Sequence, residues 1–591
     1  MTTKDKIKSI IEKAVKKTLK GKGERMARAR TSEASGSATA ERSELINLEY
    51  PADVSHGDYA ANIAMKLGKI MQKNPREIAE QIVKNISKNI LIEKVEIAGP
   101  GFINFFISEK VLKNEISKVI KEKTKYGRSN TGKNKKIIVE YSAPNIAKPL
   151  GVHHLLSTVI GQTLNNILSY IGYKTISINH IGDWGTQFGK LIYAYKKWGK
   201  KDVLDKDPIN EMLKLYVKFH DEAEKDPKLE DFARKEFKDF EEGDKENRKL
   251  WKWFVDESLK EINKTYKKLS GIKFDFTLGE SFYEDKMADI LAEGKKKKIF
   301  VEGDEGSYIA KFSDENISPL VIQKKDGATL YSTRDMATLK YRISRWHPEK
   351  IVYVVDMAQN MYFKQLFDIA KRFSWYNDEA VHVSFGRMRM ENMQMSTRKG
   401  NIILLDQVIE EAVKRARKII EEKSPNLKNK DKVAEIVGIG SVKYNILSQN
   451  RTTDIVFDWD KMLSLEGNSA PYMQYTYARA HSILRKAKTA KVSGKQVENK
   501  TEVAEKTSQL LRMIPKFEEH LIHSAKEYRP NLLCQYLYEL AQKFNSFYNS
   551  VPVLTAKEPK DRLFRLKVAQ SVSQILQNGL ALLGVNVVEE M

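Results

Sequence analysis

Residues 135 to 179 constrain this chain more than any other stretch. A buried strand, Ile137-Ile-Val-Glu-Tyr141, is followed by a loop and by a helix whose Leu156, Ile160, Leu164, Ile167, Leu168 and Ile171 share one face. A second strand comes near Thr175 to Asn179. This βαβ order commits the region to a parallel sheet, whose ligands lie at the carboxyl ends of the strands. The loop Ser142 to Val152 and the residues His180 to Gln187 are therefore expected to face one crevice. Strand and helix alternate again around Ile351 to Val355 and Val381 to Phe385. Residues 195 to 300 interrupt the pattern with charged helical sequence, exemplified by Lys245 to Lys268, and read as an insertion packed on the sheet's edge.

On either side the pattern differs. Residues 1 to 115 open with Ile7, Ile10, Ile11, Ala14 and Val15 at helical spacing and carry a second helical run from Tyr59 through Ile86. They close on Val95 to Ile107, where a Gly-Pro-Gly turn between β-rich runs predicts a hairpin. This is a small α+β domain. Within it Gly21 to Ser43 has almost no large apolar residue and cannot offset the entropy of ordering, so a disordered loop is expected. From about Asn429 onward everything reads as helices, with Leu532, Tyr536, Leu540 and Phe544 on one face.

A chain of 591 residues, 41% hydrophobic, is too long for one core. Its formal charge of +24, interleaved with aromatic residues, favours a polyanionic partner. The single cysteine, Cys534, excludes an intrachain disulfide and gives zinc no thiolate pair. No stretch approaches the roughly 20 apolar residues of a membrane span. Met1 to Lys20 is lysine-studded and lacks a signal-peptide core. A soluble, cytoplasmic protein without a membrane partner is expected.

Gly127-Arg-Ser-Asn-Thr-Gly-Lys133 has the glycine and lysine spacing of a phosphate-binding loop, but Asn134 stands where Ser or Thr is needed and a strand follows instead of a helix. A better nucleotide site is the loop Tyr141-Ser-Ala-Pro-Asn-Ile-Ala-Lys-Pro-Leu-Gly-Val-His-His154. It brings Asn145, Lys148, His153 and His154 to a helix N-terminus, which suits a triphosphate and negative charge developing at phosphorus. Paired histidines at such a place serve either as a hydrogen-bonded cap or in catalysis. Downstream, Gln394-Met-Ser-Thr-Arg-Lys-Gly-Asn401 has the cations, hydroxyls and glycine of a flap over pyrophosphate.

Taken together these segments resemble the two signature sequences of class I aminoacyl-tRNA synthetases and, with their flanks, those of the arginyl-tRNA synthetase family. Ser-Ala-Pro-Asn-Ile-Ala-Lys-Pro, a histidine-containing tetrapeptide and Leu-Leu-Ser-Thr-Val-Ile-Gly161 are similar to the first arginyl signature. His180 to Gly189 is a second arginyl block. Leu330-Tyr-Ser-Thr-Arg-Asp335 and Gly386 to Asn401 continue the likeness. Ala470 to Ala480 with Phe544 to Tyr548 resemble the helical anticodon-binding domain, and His56 to Tyr59 with Gly99 to Phe105 resemble the family's N-terminal domain.

The resemblance implies a multidomain α/β fold. A Rossmann-like parallel-sheet catalytic domain would span 116–428, with a helical insertion at about 195–300, between an α+β N-terminal tRNA-contacting domain (1–115) and an all-α anticodon-binding domain (429–591). It implies ATP-dependent activation of L-arginine and transfer to the 3' end of tRNA(Arg), with Mg2+ on the phosphates; a monomer without zinc is expected. The arginine set carried over is Ser142, Asn145, His154, Tyr331, Asp335 and Gln359. Tyr331 and Asp335 are four apart and share a face if helical, and a carboxylate with a phenol and amides suits a planar guanidinium. The ATP set is Gly151, His154, Gly182, Asp183, Gly185, Gln187, Met395 and Lys399. The catalytic set is Lys148, His153, His154, Met395, Ser396, Arg398 and Lys399.

Two departures stand out. Gly151-Val152-His153-His154 replaces the family's His-x-Gly-His, so the first histidine is missing and His153 occupies the glycine's place. The imidazole either swings aside or takes over the lost phosphate contact. Gln394 and Thr397 stand where class I enzymes generally have lysines, which gives Lys148 added weight. For tRNA the expected residues are Phe102, Asn104, Tyr472, Tyr475, Arg479 and Tyr548, since unstacked bases lie on aromatic and guanidinium planes. Tyr472 and Tyr475 are three apart and either form that platform or pack between helices.

Overall fold

The computed structural model describes residues 1–19, 46–146, 148–376, 379–390, 404–489 and 499–591. The loop expected at Gly21 to Ser43 lies outside them. In the N-terminal region the helix Thr3–Thr18 starts at a Thr2/Asp5 capping box and buries Ile7, Ile11, Ala14 and Val15. Strands β1 (Leu48–Glu49), β2 (Tyr59–Ala61), β3 (Ile92–Ala98) and β4 (Phe102–Ile107) form an antiparallel sheet in the order β1-β2-β4-β3. The hairpin β3–β4 is as expected. The helical run expected from Tyr59 begins instead as strand β2 and splits into Ile63–Met71 and Pro75–Lys84. Asn74 caps the second helix and Pro75 takes its first position, where a missing N–H costs nothing.

The central sheet is entirely parallel. Its strands are β5 (Lys136–Glu140), β6 (Lys174–Asn179), β7 (Phe276–Thr277) and, after an antiparallel three-stranded sheet of β8 (Val301–Glu302), β9 (Tyr308–Ala310) and β10 (Leu320–Gln323), β11 (Lys350–Tyr353) and β12 (Glu379–His382). The order is β12-β11-β5-β6-β7. Both faces of β5 are covered: Ile137 and Val139 join one core with the helix Val152–Tyr170, while Ile138 joins another with residues of the helix Tyr331–Trp346. From β5 the chain builds outward through β6 and β7, then returns to lay β11 on β5's other side. Loops leaving β5 and β11 therefore diverge and open a crevice at their carboxyl ends.

The segment expected as a helical insertion does hold the helices Pro208–Lys225, Lys228–Glu241 and Lys245–Lys268, yet it also supplies β7, an edge strand of the parallel sheet itself. Two exposed residues give too weak a period to be read in advance. The C-terminal region is helical, with one exception. Strand β14 (Ile455–Phe457) pairs in parallel with β13 (Met388–Met390), so the expectation of helices alone is corrected there. The N-terminal and C-terminal regions meet at Glu519, whose carboxylate accepts the hydroxyls of Tyr50 at 2.6 Å and Tyr59 at 3.0 Å. No described helix is long and apolar enough to cross a membrane.

Candidate active site

Strand β5 ends in a tight reversal, Ser142-Ala143-Pro144, and then runs alongside the loop that leaves β6. Asn145 bridges Gly182 in parallel fashion, with Ile146 N–H donating to Gly182 O at 3.1 Å and Gly182 N–H to Pro144 O at 3.0 Å. A Cβ at Gly182 would collide with Asn145 Oδ1, so any larger residue here would push that amide aside. The two loops expected to share a crevice are thus zipped together.

Their junction forms one wall of a cavity of about 230 Å³. Asn145, Gly182, Tyr331, Asp335 and Gln359, separated widely in sequence, all line it. Tyr331 and Asp335 lie on the helix Tyr331–Trp346, and Gln359 follows β11 in the turn Met357–Gln359. Tyr362 Oη donates to Asp335 Oδ2 at 2.5 Å, and burial pushes the Asp335 carboxyl up to about 6. Glu280 also faces the cavity, pushed up to about 7 by burial and moderated by Arg334, whose Nη1 is 3.0 Å away. Two half-enclosed carboxyls held above their ordinary range would each gain from an entering cation. Thr338 Oγ1, also at the cavity wall, has no hydrogen-bond partner among the described residues.

Several lining residues escaped the sequence reading. Glu140 pairs with the fully buried Arg342 behind the cavity. A charged residue directly after the apolar run Ile137-Ile-Val, within the same strand, was the one signal available. His180, by contrast, was expected to face the crevice and does line the cavity; its Nδ1 donates to Leu278 O at 3.1 Å, which leaves Nε2 as the acceptor nitrogen, and burial lowers the imidazole to about 4. Tyr362 and Glu280 carried no local signal.

Other expected residues sit elsewhere. Ser142 does not line the cavity: its hydroxyl is enclosed, 2.6 Å from Tyr266 Oη and 2.8 Å from Thr158 Oγ1, so it braces the turn. His154 also lies off the cavity, at the start of the helix Val152–Tyr170, where its Nδ1 accepts Gly151 N–H at 3.1 Å. It is thus a cap, lowered to about 3 by burial and by His153, whose ring centroid is 3.9 Å away. Lys148 Nζ stands 4.5 Å from the ring centre of Tyr216, on an inserted helix. Gly185 adopts φ of 124° and opens the helix Thr186–Trp198, while Gln187 Nε2 donates to Trp184 O at 2.7 Å. Asp183 turns its carboxylate onto Ser281, accepting N–H at 2.9 Å and Oγ–H at 2.6 Å, and it is 4% exposed. Gly151 itself bridges Leu404, just beyond the second signature. Gln394, Met395, Ser396, Thr397, Arg398 and Lys399 lie outside the described residues. The phosphate-loop look-alike at Gly127 to Lys133 sits in turns before β5, without a following helix.

The residues expected to meet tRNA divide. Phe102 is half-buried at the start of β4, and Asn104 is buried within that strand. Tyr472 accepts a bond from Asn545 Nδ2 at 2.9 Å and meets Tyr538 edge-on, which is the packing alternative. Tyr475, Arg479 and Tyr548 instead line a groove of about 610 Å³. Arg479 lies 4.8 Å from the Tyr475 ring centre and 4.9 Å from that of Tyr548, and donates to Asn545 Oδ1 at 2.8 Å.

Comparisons with known proteins bear on the chain as a whole. The family described as tRNA synthetases class I (R), catalytic domain, matches residues 115–459, the DALR anticodon binding domain matches 473–591, and the arginyl tRNA synthetase N terminal domain matches 5–107. An arginine–tRNA ligase of Fusobacterium nucleatum is 44% identical over 550 residues, 92% of this chain and 95% of the relative. One from Clostridium botulinum is 44% identical over 546 residues, 92% and 96% of the two chains. Arginyl-tRNA synthetase structures from Plasmodium falciparum (TM-score 0.78, 24% identity, 99% of each chain) and Thermus thermophilus (TM-score 0.77, 24% identity, 96% of this chain and 99% of that one) share the fold.

Proposed function

The chain belongs to the arginyl-tRNA synthetase family of class I aminoacyl-tRNA synthetases, and from that premise we propose how its residues divide the work of arginine–tRNA ligation. The family's reaction activates L-arginine with ATP to arginyl-adenylate and pyrophosphate, then transfers arginine to tRNA. The single observation that carries the residue assignment is the cavity lined together by Asn145, Tyr331, Gln359 and the buried carboxyl of Asp335.

A guanidinium is planar and offers five donors. In this reading Asp335 supplies its charge partner, the amide oxygens of Asn145 and Gln359 and the phenols of Tyr331 and Tyr362 accept or orient at the rim, and Glu280 adds a second acidic group. Lysine, a point charge on a flexible stem, uses such a set less well. ATP is assigned to the N-terminus of the helix Val152–Tyr170, where free N–H groups and the helix dipole favour phosphate. His153, Lys148 and the residues Met395, Ser396, Arg398 and Lys399 are assigned to the triphosphate, and Gly182, Gly185 and Gln187 to the nucleoside side.

Positioning and charge carry the catalysis: the arginine carboxylate attacks the α-phosphorus in line, pyrophosphate leaves, and cations meet the charge that shifts onto it. His154 acts as a neutral imidazole, because its protonation is suppressed at ordinary pH. Among the described residues no cluster of three His, Cys, Asp or Glu could hold a metal ion. Mg2+ is assigned to ATP's own phosphates. The division into 1–115, 116–428 and 429–591, a monomeric state and a cytoplasmic location complete the proposal.

The test is arginine-dependent exchange of pyrophosphate into ATP, with and without tRNA. Exchange with arginine and none with lysine is expected. Exchange that proceeds equally with lysine would remove the guanidinium reading of the pocket.

A further inference from the structure

The turn after β5 holds its backbone where its residues disfavour it. Ser142 and Ala143, neither of them glycine, take φ of 73° and 47°. In that left-handed region a Cβ crowds the neighbouring carbonyl, and consecutive residues there persist only when their surroundings hold them. Ser142 N–H donates to Ser157 Oγ at 2.9 Å and Ala143 N–H to Asn179 Oδ1 at 3.1 Å. One further group ties the two halves together. Tyr266 Oη is 2.6 Å from Ser142 Oγ and accepts from Asn179 Nδ2 at 3.2 Å. It therefore braces one turn residue directly and the other through the amide that receives its N–H. Tyr266 is 3% exposed and comes not from the sheet but from the inserted helix Lys245–Lys268.

The end of that helix is itself fixed. Thr265 Oγ1 donates to Asp406 Oδ1 at 3.1 Å, and the buried ammonium of Lys443 donates to Leu269 O at 2.6 Å and Gly584 O at 2.9 Å. A buried cation aimed at two helix-end carbonyls satisfies both and pins the helix in register. Tyr266 thus reaches the turn from a seat that cannot slide by a residue without breaking these bonds.

We propose that Tyr266 is a positioning residue for the arginine reaction: its hydroxyl holds the left-handed turn Ser142–Ala143 and so sets the direction in which Asn145, two residues on, enters the pocket. The inference rests on the reading of Asn145 as an arginine ligand. The inserted helices, besides covering the sheet's edge, thereby contribute to amino-acid recognition without touching the amino acid.

The test uses the full chain with tRNA and compares Tyr266→Phe, Asn145→Ala, their double variant and Tyr536→Phe. Tyr536 is an equally buried tyrosine whose hydroxyl donates to Met513 O at 3.0 Å in the C-terminal region, so its variant controls for loss of a buried bond. Arginine KM, ATP KM and melting temperature are measured for each. Tyr266→Phe is expected to raise arginine KM about fivefold with ATP KM unchanged, the scale of one hydrogen bond. The double variant should raise it no further than Asn145→Ala does, because Tyr266 acts through Asn145. Tyr536→Phe should lower the melting temperature with arginine KM unchanged. A Tyr266→Phe protein that loses stability as Tyr536→Phe does but keeps the parental KM overturns the proposal, as does a double variant whose effects multiply. If Asn145→Ala alone leaves KM unchanged, the pocket reading fails and takes the proposal with it.

Discussion

At the carboxyl end of β5, Tyr362 turns its hydroxyl inward onto Asp335 and Arg342 is fully buried against Glu140. In the groove beside the helix Ala470–Thr489, Arg479 lies between the rings of Tyr475 and Tyr548, and Tyr548 is 38% exposed. Both regions use phenols beside charges, yet the pocket encloses the Tyr362–Asp335 pair behind a rim phenol, Tyr331, that is 57% exposed, while the groove sets Arg479 itself against the partly exposed Tyr548. Enclosure raises the cost of an unpaired charge, so a pocket built this way discriminates by what it leaves unsatisfied when the wrong ligand enters. Display keeps ring faces free for stacking, which tolerates different bases and contributes a modest amount per ring. The same residue types therefore give selectivity in one place and surface in the other.

The sharpest way to break this contrast is Asp335→Ala. Removing the pocket's charge partner is expected to cost about 3 to 5 kcal/mol in kcat/KM for arginine, as for other buried charges left alone. Steady-state charging of tRNA measures it, and a variant with normal kcat/KM would show that enclosure is not the source of selectivity. Next in size is Lys148→Ala, expected to slow adenylate formation about a hundredfold while arginine binding changes little, since its charge counts as negative charge moves onto pyrophosphate. Single-turnover kinetics separates the two; an unchanged rate would shift the role to Arg398 or Lys399.

Acid should affect the pocket more than the groove. Asp335 and Glu280 are held at about 6 and 7 and must be ionised to pair with arginine, which stays cationic throughout. Arginine KM should be flat above about pH 8 and rise on acidification, by up to about tenfold per unit between about pH 7 and 6 and up to about a hundredfold per unit below pH 6, where both carboxyls take up protons. Asp335→Asn should flatten that rise, and a profile identical in parent and variant would exclude Asp335 as the titrating group. The smallest effect belongs to the groove. Tyr475→Ala is expected to weaken tRNA binding by about 1 kcal/mol at unchanged arginine KM. Tyr472→Ala, losing its bond to Asn545 and its contact with Tyr538, should lower the melting temperature instead. Reversal of those two results would exchange the roles of the tyrosines.

Much of the site could be read in advance because its signals are local. The run Ile137-Ile-Val and the apolar face of the following helix sit within a few turns of each other, and their periods are set by backbone geometry alone. Tyr331 and Asp335 fall on one face because a step of four residues is just over one helical turn. The strand β7 escaped because two exposed residues, Phe276 and Thr277, show no period. Ser142, expected in the arginine set, has its hydroxyl on Tyr266 and Thr158 instead of the cavity, and nothing in the motif tells a hydroxyl that lines a cavity from one that braces a turn.

The sequence by itself determined the parallel sheet, the crevice at the ends of β5 and β6, and a family membership carried by contiguous motifs. Only the tertiary structure decided which charges are buried together. Glu140 meets Arg342, Asp335 meets Tyr362 across 27 residues, and Ser142 meets Tyr266 across 124. Those pairings depend on where β11 returns beside β5 and where an inserted helix ends, and chain topology and packing fix such distances where periodicity does not.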